Sequence, residues 1–417
     1  MTQQSPIRTA LAGLIGNVLE WFDFAVYGYF AADIGKQFFP AQDPDAQRLL
    51  SFAVLALGFV ARPLGSLVLG RVGDRIGRRA LLTLSIGLMG GSTLCLGMLP
   101  TYAQAGIAAP ILLVAMRMIQ GFSLGGEFTG SMVYTTELAS PLMRGLISSS
   151  TAAGTTLGFI LGSLAAYLVT RCLGPEAASQ WGWRIPFIGS IAFCIVGYFL
   201  RNGIVEPEAG EKAKAQHPPV WASLVGDWLP IVRLFGIVAM TNAAYYLTFN
   251  FAVDARKSGI DGQDFLLANT FVLFAVLAAK PFGGWLSDRI GRRRLALILT
   301  VATMALIYPA LALMTTGTPE RFAVGQLMMA IPLGMALGMQ GAMVVEIFPL
   351  RTRVTSMSFG YSITLALAGG TAPLVSTALI RWLDLPMAPA FYVMMFGAIG
   401  LAIMWPMAET NATALDE

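Results

Sequence analysis

The stretch Gly70-Arg-Val-Gly-Asp-Arg-Ile-Gly-Arg-Arg79 occurs a second time as Gly284-Trp-Leu-Ser-Asp-Arg-Ile-Gly-Arg-Arg293. The two copies lie 214 residues apart, counted from residue 70 to residue 284, which is close to half of the 417-residue chain. A second echo supports the first, because Glu137 through Pro141 to Arg144 resembles Glu346 through Pro349 to Arg353. The repeat predicts a chain built from two related halves, an arrangement found among membrane transporters.

The composition around these stretches is that of a membrane protein. Hydrophobic residues make up 56% of the chain and charged residues 12%, with a mean hydropathy of +0.68, against about 25% charged residues in soluble domains. Apolar stretches long enough to cross a bilayer as helices recur along the chain. We predict twelve spans, at residues 9–34, 49–71, 80–99, 108–133, 145–170, 184–202, 229–252, 264–284, 295–315, 322–345, 354–379 and 388–408.

The predicted fold is an all-α polytopic membrane protein with two six-helix bundles, at residues 1–202 and 229–408. A polar cytoplasmic linker at 203–228 joins the bundles, and a short tail follows at 409–417. With both termini placed in the cytoplasm, sixteen loop Lys and Arg residues lie inside and eight outside, which satisfies the positive-inside rule. The first span is too long for a signal peptide, so we expect it to be retained in the cell inner membrane as part of a multi-pass protein.

Several classes of protein are excluded by what the sequence lacks. The three cysteines have no metal-ligand spacing, His217 is the single histidine, and no phosphate-binding loop occurs. The net charge of +4 comes from loop arginines that report topology, so no nucleic-acid partner is expected. We therefore predict no enzyme activity, cofactor or metal, and a monomer whose partners are a small-molecule substrate, protons and the lipid bilayer.

The two loop stretches combine glycine, aspartate and arginine between neighbouring spans. Asp74 and Asp288 can pair with nearby arginines or lie at the N-terminus of a neighbouring helix, where the helix dipole favours an anion. We interpret these contacts as a latch that forms in one conformation and breaks in another; the alternative is that the arginines only fix topology. The residues assigned to gating are Gly70, Asp74, Arg75, Arg78, Glu127, Glu137, Arg144, Asp288, Arg289, Arg292, Glu346 and Arg353.

The pattern Gly-x-x-x-Asp-Arg-x-Gly-Arg-Arg and the segment Arg117-x-x-Gln120-Gly121 resemble the signatures of the major facilitator superfamily. Within it, residues 16–24, 120–127 and 181–187 resemble the metabolite:proton symporter family. Members of that family carry proline and betaine, citrate and tricarballylate, 2-oxoglutarate or shikimate. Residues 20–28 and 241–246 resemble the proline/betaine carriers, whose long C-terminal coiled coil has no counterpart here, so tail-dependent osmotic sensing is not expected.

Ionisable side chains inside predicted spans are functional candidates because burying them is costly. Asn17, Glu20, Asp23 and Tyr27 lie on one face of the first span. Counting about 1.5 Å per residue along each predicted span places Asp23 at the same depth in the membrane as Arg117, and Glu20 at the same depth as Arg62. We predict Asp23 as the proton site, coupled to Arg117, with Glu20 as the alternative; a fixed structural role for both pairs stays open.

The same reasoning assigns substrate contacts to both halves. The candidates are Asn17, Tyr27, Arg62, Arg117 and Gln120 in the first half and Asn242, Tyr245 and Tyr246 in the second, with Asn250 nearby. An uncharged aromatic wall suits a zwitterion or a quaternary ammonium, although these tyrosines could equally be packing residues. Lys280 is interpreted as an anchor near the inner end of its span.

No second cation is expected at midplane depth in the second half, so a zwitterion is preferred over a citrate-like or larger polycarboxylate. The function predicted is proton-coupled import of a small polar metabolite. The alternatives from other classes are a passive channel, a receptor, or a duplicated bundle without a transport role.

Overall fold

The structure, a computed structural model, describes residues 5–40, 44–202, 218–250, 262–316, 318–411 and 415. These residues form helices, turns and bends, with no strand in the ranges described. Twelve long helical segments follow in chain order: α1 Pro6–Tyr29, α2 Pro44–Arg75, α3 Arg78–Met98, α4 Ala108–Leu138, α5 Arg144–Leu173, α6 Arg184–Gly189 with Ile191–Asn202, α7 Trp228–Tyr245 with Tyr246–Asn250, α8 Gly262–Ile290, α9 Arg292–Met314, α10 Pro319–Glu346, α11 Arg353–Thr364 with Leu365–Gly370 and Ala372–Leu383, and α12 Ala388–Met404. Among the described residues, nine stretches are long and apolar enough to cross a membrane.

The repeated stretches are mostly helical and only briefly interrupted. Helix α2 continues to Arg75 and α8 to Ile290, beyond their predicted ends at 71 and 284. Gly77 and Gly291, at equivalent positions of the repeat, then adopt φ values of 128° and 102°. Glycine tolerates these angles because it has no Cβ atom. Each stretch is therefore a sharp turn between two helices, and we call the end of the molecule that carries both turns the motif end.

The predicted linker at 203–228 is described only from residue 218. Residues 203–217, including His217, lie outside the described residues. A short helix, Val220–Gly226, occupies most of the remainder, and α7 begins at Trp228. Trp221 and Trp228 are largely exposed, which is typical of aromatic side chains at a membrane interface. The sequence analysis included this apolar helix in the linker because the residues before it, 203–217, are polar.

Helices α1 and α5 pack at close range through a row of glycines. A Cβ atom added at Gly154 would lie 2.5 Å from the Leu14 carbonyl oxygen, and one added at Gly158 would lie 2.6 Å from that of Val18. A Cβ atom added at Gly162 would lie 2.8 Å from the Phe22 carbonyl oxygen. The sequence pattern Gly-x-x-x-Gly-x-x-x-Gly predicts such an approach between membrane helices, and the structure confirms it. The polar face of α1 is thereby held in place.

We expect Gly158→Ala to lower the thermal unfolding temperature of the purified protein. The added methyl group would also meet Phe22 N and Trp21 Cβ, both at 2.9 Å, and overpacking of this kind typically costs about 1–3 kcal/mol. Gly91→Ala in α3 is the matched control, because nothing lies within 4 Å of its added Cβ atom. Equal unfolding temperatures for the two variants would contradict this account of the helix contact.

The two halves of the chain meet along a pseudo-symmetric set of helix pairs. Helix α2 packs against α11, α5 packs against α8, and α4 and α10 also contact across the same interface. One hydrophobic cluster spans both halves, with Leu69, Phe128 and Met132 from the first and Met357 and Tyr361 from the second. The interface therefore joins equivalent elements of the repeat.

Candidate functional site

At the motif end, the two repeated aspartates cap helices of the opposite half. Asp74 in α2 accepts hydrogen bonds from the backbone nitrogens of Val354 and Thr355, at 3.2 and 2.9 Å, at the start of α11. Asp288 in α8 accepts from those of Gly145 and Leu146, at 2.8 and 2.9 Å, at the start of α5. A carboxylate at a helix N-terminus satisfies free N–H groups and the helix dipole. Both aspartates thus lie at a helix N-terminus, one of the two placements predicted, and their gating role stays a prediction.

Each aspartate also pairs with the arginine four residues later. Arg78 Nη1 lies 3.3 Å from Asp74 Oδ1, and Arg292 Nη1 lies 2.7 Å from Asp288 Oδ1. Gly70 permits the contact around Asp74, because an added Cβ atom would lie 2.8 Å from Thr355 Cα. Each half therefore contributes an aspartate that both pairs with an arginine of its own half and caps a helix of the other half.

Two buried glutamates extend this network across the interface. Glu137 in α4 accepts hydrogen bonds from Arg78 at 3.2 Å and from Arg353 of the other half at 2.9 Å. Glu346 pairs with Arg292 at 3.3 Å and lies 3.8 Å from Arg144 of the other half. Both glutamate side chains are fully buried, so removing one would take away an acid that buried arginines of both halves share.

Arg75 and Arg289 stand apart from this network. Both are exposed, and the Arg289 guanidinium lies 5.2 Å from the centroid of the Trp285 ring. Their predicted gating role therefore has no supporting contact among the residues described. Exposed arginines beside an aromatic ring are typical of the membrane interface.

At the middle of the first half, Asp23 is fully engaged. It forms an ion pair with Arg117 of α4, as their equal depth along the predicted spans predicts, and its other oxygen accepts from Gln120 Nε2 at 2.9 Å. Gln120 also donates to Thr93 at 2.8 Å. The Arg117 guanidinium lies 3.8 Å from the Tyr27 ring centroid. Because both Asp23 oxygens have donors, its charge is well stabilised in this conformation.

Glu20, one turn away on α1, has the opposite environment. It is 1% exposed, and neither carboxylate oxygen has a hydrogen-bond partner among the described residues. Arg62 is close enough to attract it electrostatically, but no direct ion pair of the predicted kind forms. A buried carboxylate without donors is costly when it is ionised. Asp23 and Glu20 therefore differ in whether the described residues supply donors to their oxygens.

Residues of the second half complete the surroundings of Glu20 and Arg62. The Arg62 guanidinium lies 5.9 Å from the Tyr361 ring centroid. Tyr246 lies close enough to interact electrostatically with both Arg62 and Glu20. Asn242 and Gln340 face the Tyr361 hydroxyl. We call these six residues the central cluster: Glu20, Arg62, Asn242, Tyr246, Gln340 and Tyr361. Orphaned polar atoms remain on Glu20, Arg62 and Gln340 in the described residues, as expected of a site that binds a polar ligand.

The sequence analysis missed Gln340 and Tyr361, although a glutamine inside an apolar span was a visible signal. Tyr245 lies beside Tyr246, with ring centroids 6.4 Å apart. The Asn250 side chain lies outside the described residues. Asn17 is tied into helix packing, because its Nδ2 donates to the Gly13 carbonyl and to Ser131 at 2.8 and 3.0 Å.

The predicted gating role of Glu127 is not supported. Its carboxylate pairs with Arg201 at the end of α6, which also donates to the Leu82 carbonyl. All three residues belong to the first half, so the contact does not cross the interface. Arg201, near the end of the predicted span 184–202, is fully buried. Gly16 makes room for this pair, because an added Cβ atom would clash with Glu127.

The interpretation of Lys280 is also wrong. Helix α8 runs through the repeated stretch to Ile290, so Lys280 lies about 15 Å from that end, in the middle of the span. It is 1% exposed, and its ammonium donates to the Ala152 carbonyl at 2.6 Å and to Thr155 at 3.0 Å, with Thr156 as a third acceptor. The second half therefore holds a buried basic side chain in the middle of an apolar helix, which the sequence analysis did not expect.

Comparisons with known proteins agree with this architecture. Residues 9–216 match the family model for sugar and other transporters, and residues 234–413 match that of the major facilitator superfamily. The fold resembles that of the proton:xylose symporter XylE, with a TM-score of 0.83 at 17% identity over 99% of this chain and 98% of that chain. Together, the repeated helices and these matches define the class as membrane transporters.

Two relatives are informative. The proline/betaine transporter of Salmonella typhimurium is 34% identical over 97% of this chain and 84% of its own length. The citrate-proton symporter of Salmonella typhi is 33% identical over 96% of this chain and 95% of its own. The chain therefore belongs to the major facilitator superfamily, and its resemblance to the metabolite:proton symporters is confirmed.

Proposed function

We propose that this protein imports a small polar metabolite together with protons, by alternating access. The observation that supports the proposal is Glu20, a buried carboxylate without donors that faces Arg62 and polar groups of the other half. Sites at the interface of two repeats, near the midplane, are typical of secondary transporters. The metabolite carries a carboxylate, as proline, betaine and organic acids do, because Arg62 offers its guanidinium to the central cluster.

The proposed topology has twelve transmembrane helices in two six-helix bundles, at residues 1–202 and 229–408, with the motif end and both termini in the cytoplasm. The excess of sixteen to eight loop cations supports this orientation. We also propose that the protein is a monomer in the cell inner membrane. The caps formed by Asp74 and Asp288 close the cytoplasmic side in this conformation.

For the proton, the geometry favours Glu20 over Asp23. Asp23 would have to release Arg117 and Gln120 before it could accept a proton, whereas Glu20 has no donor to release. Proton binding to Glu20 removes a buried charge and frees Arg62 to bind the carboxylate of the metabolite. Asp23 and Arg117 then act as the pair that positions α1 against α4.

Uptake by reconstituted proteoliposomes under an imposed pH gradient tests the proposed function. We expect at least one member of a panel of proline, betaine, succinate and citrate to accumulate above its equilibrium level when the lumen is alkaline. A protonophore should abolish accumulation but not equilibration, because it collapses only the driving force. Uptake that is insensitive to the protonophore would show a passive channel instead, and binding without flux would show a receptor.

A further inference from the structure

Lys280 is a buried basic side chain for which the described residues offer no opposite charge. Three other buried acids have a basic side chain nearby: Asp23 with Arg117, Glu127 with Arg201, and Glu20 with Arg62. In the described part of the chain, no carboxylate lies within ion-pair distance of Lys280. Its three acceptors account for the three N–H groups of an ammonium. Lys280 is thus held by neutral acceptors alone among the described residues.

The bonds of Lys280 depend on closure of the interface. Ala152, Thr155 and Thr156 all belong to α5, in the opposite half. The repeat offset of 214 relates Lys280 to Ser66, whose hydroxyl lies 2.6 Å from that of Ser362 across the equivalent α2–α11 contact. The equivalent position is therefore a serine in the first half, Ser66, and a lysine in the second half, Lys280. The three bonds of Lys280 therefore require α5 and α8 to be in contact.

We propose that Lys280 is a substrate-binding residue of the second half and that the substrate is a di- or tricarboxylate. This inference rests on the proposed function, in which the halves alternately separate. A carboxylate of the substrate replaces the α5 acceptors of Lys280 as the motif end opens, while Arg62 holds another carboxylate from the first half. Without an anion, the open state leaves Lys280 without the three acceptors that it has when α5 and α8 are in contact. A bound carboxylate thereby favours the transition.

The test is counterflow in proteoliposomes loaded with each panel compound, for the wild type and for Lys280→Met, Lys280→Arg and Ser66→Ala. We expect Lys280→Met to weaken the luminal affinity for succinate or citrate by about thirtyfold or more, because it removes one partner of a buried charge contact. Lys280→Arg should retain most of that affinity. Ser66→Ala removes the equivalent neutral bond and should alter the rates for all compounds alike.

Binding to the purified protein provides a second, transport-independent readout. Citrate or succinate should raise the thermal unfolding temperature of the wild type and of Lys280→Arg, but not of Lys280→Met. Transport of betaine or proline alone, or an equal loss for all compounds in Lys280→Met, would overturn the inference and leave proton symport intact. Lys280-dependent carboxylate binding without proton-coupled uptake would overturn the proposed function and support the anion site.

Discussion

Substituting Glu20 with glutamine should abolish accumulation driven by a pH gradient while preserving exchange of substrate across the membrane. Glutamine resembles the protonated acid in shape and charge, so the loaded carrier can still reorient, but it cannot release a proton. Glu20 is the proposed proton site because neither of its oxygens has a donor among the described residues. Gradient-driven uptake and equilibrium exchange, measured on the same proteoliposomes, separate the two steps.

Asp23→Asn should behave differently, with loss of both accumulation and exchange. The substitution leaves Arg117 buried without its acid, and breaking a buried ion pair from one side costs about 3–5 kcal/mol. A lower unfolding temperature should accompany the loss. Glu176→Gln, an exposed carboxylate change, is the control and should leave both activities intact.

The opposite outcome for the two variants would assign the proton site to Asp23. If Asp23→Asn exchanged substrate without accumulating it, and Glu20→Gln did neither, Asp23 would be the proton site and Glu20 a structural acid. Gradient-driven uptake at the wild-type rate in both variants would place the proton elsewhere.

Glu137→Gln should shift the protein towards the state in which the motif end is open. Glu137 is the acid shared by Arg78 and Arg353 across the interface, and its neutralisation leaves two buried arginines facing each other. At a cost of about 3 kcal/mol, the ratio of closed to open molecules falls by roughly two orders of magnitude. Transport that requires both states should slow accordingly.

Thiol accessibility measures this shift. Ser358 is buried and lies 2.5 Å from Thr129 of the other half, so a cysteine introduced there reacts with a maleimide only when the interface opens. The measurement uses a background in which Cys95, Cys172 and Cys194 are replaced by serine. Glu320→Gln, at the exposed start of α10, is the matched control. Equal labelling rates for both variants would show that Glu137 does not hold the motif end closed.

The sequence by itself predicted an all-helical fold of two related halves and the loops in which Asp74 and Asp288 lie. A repeat separated by 214 residues, together with twelve apolar stretches, is sufficient because membrane helices satisfy their own backbone hydrogen bonds. Asp74 and Asp288 could be placed at helix N-termini, since a repeated turn recreates the same surroundings. Depth along a helix was enough to pair Asp23 with Arg117, as both residues lie on long uninterrupted spans.

Only the tertiary structure decided which charges are satisfied. Whether Glu20 has donors, whether Glu127 faces the other half and which groups surround Lys280 all depend on side chains that arrive from helices distant in sequence. Helix ends mattered as well, because the continuation of α8 to Ile290 moved Lys280 from the end of the predicted span to the middle of the helix. Spacing along the chain fixes depth and face, but the partner of a buried charge is set by how the helices pack.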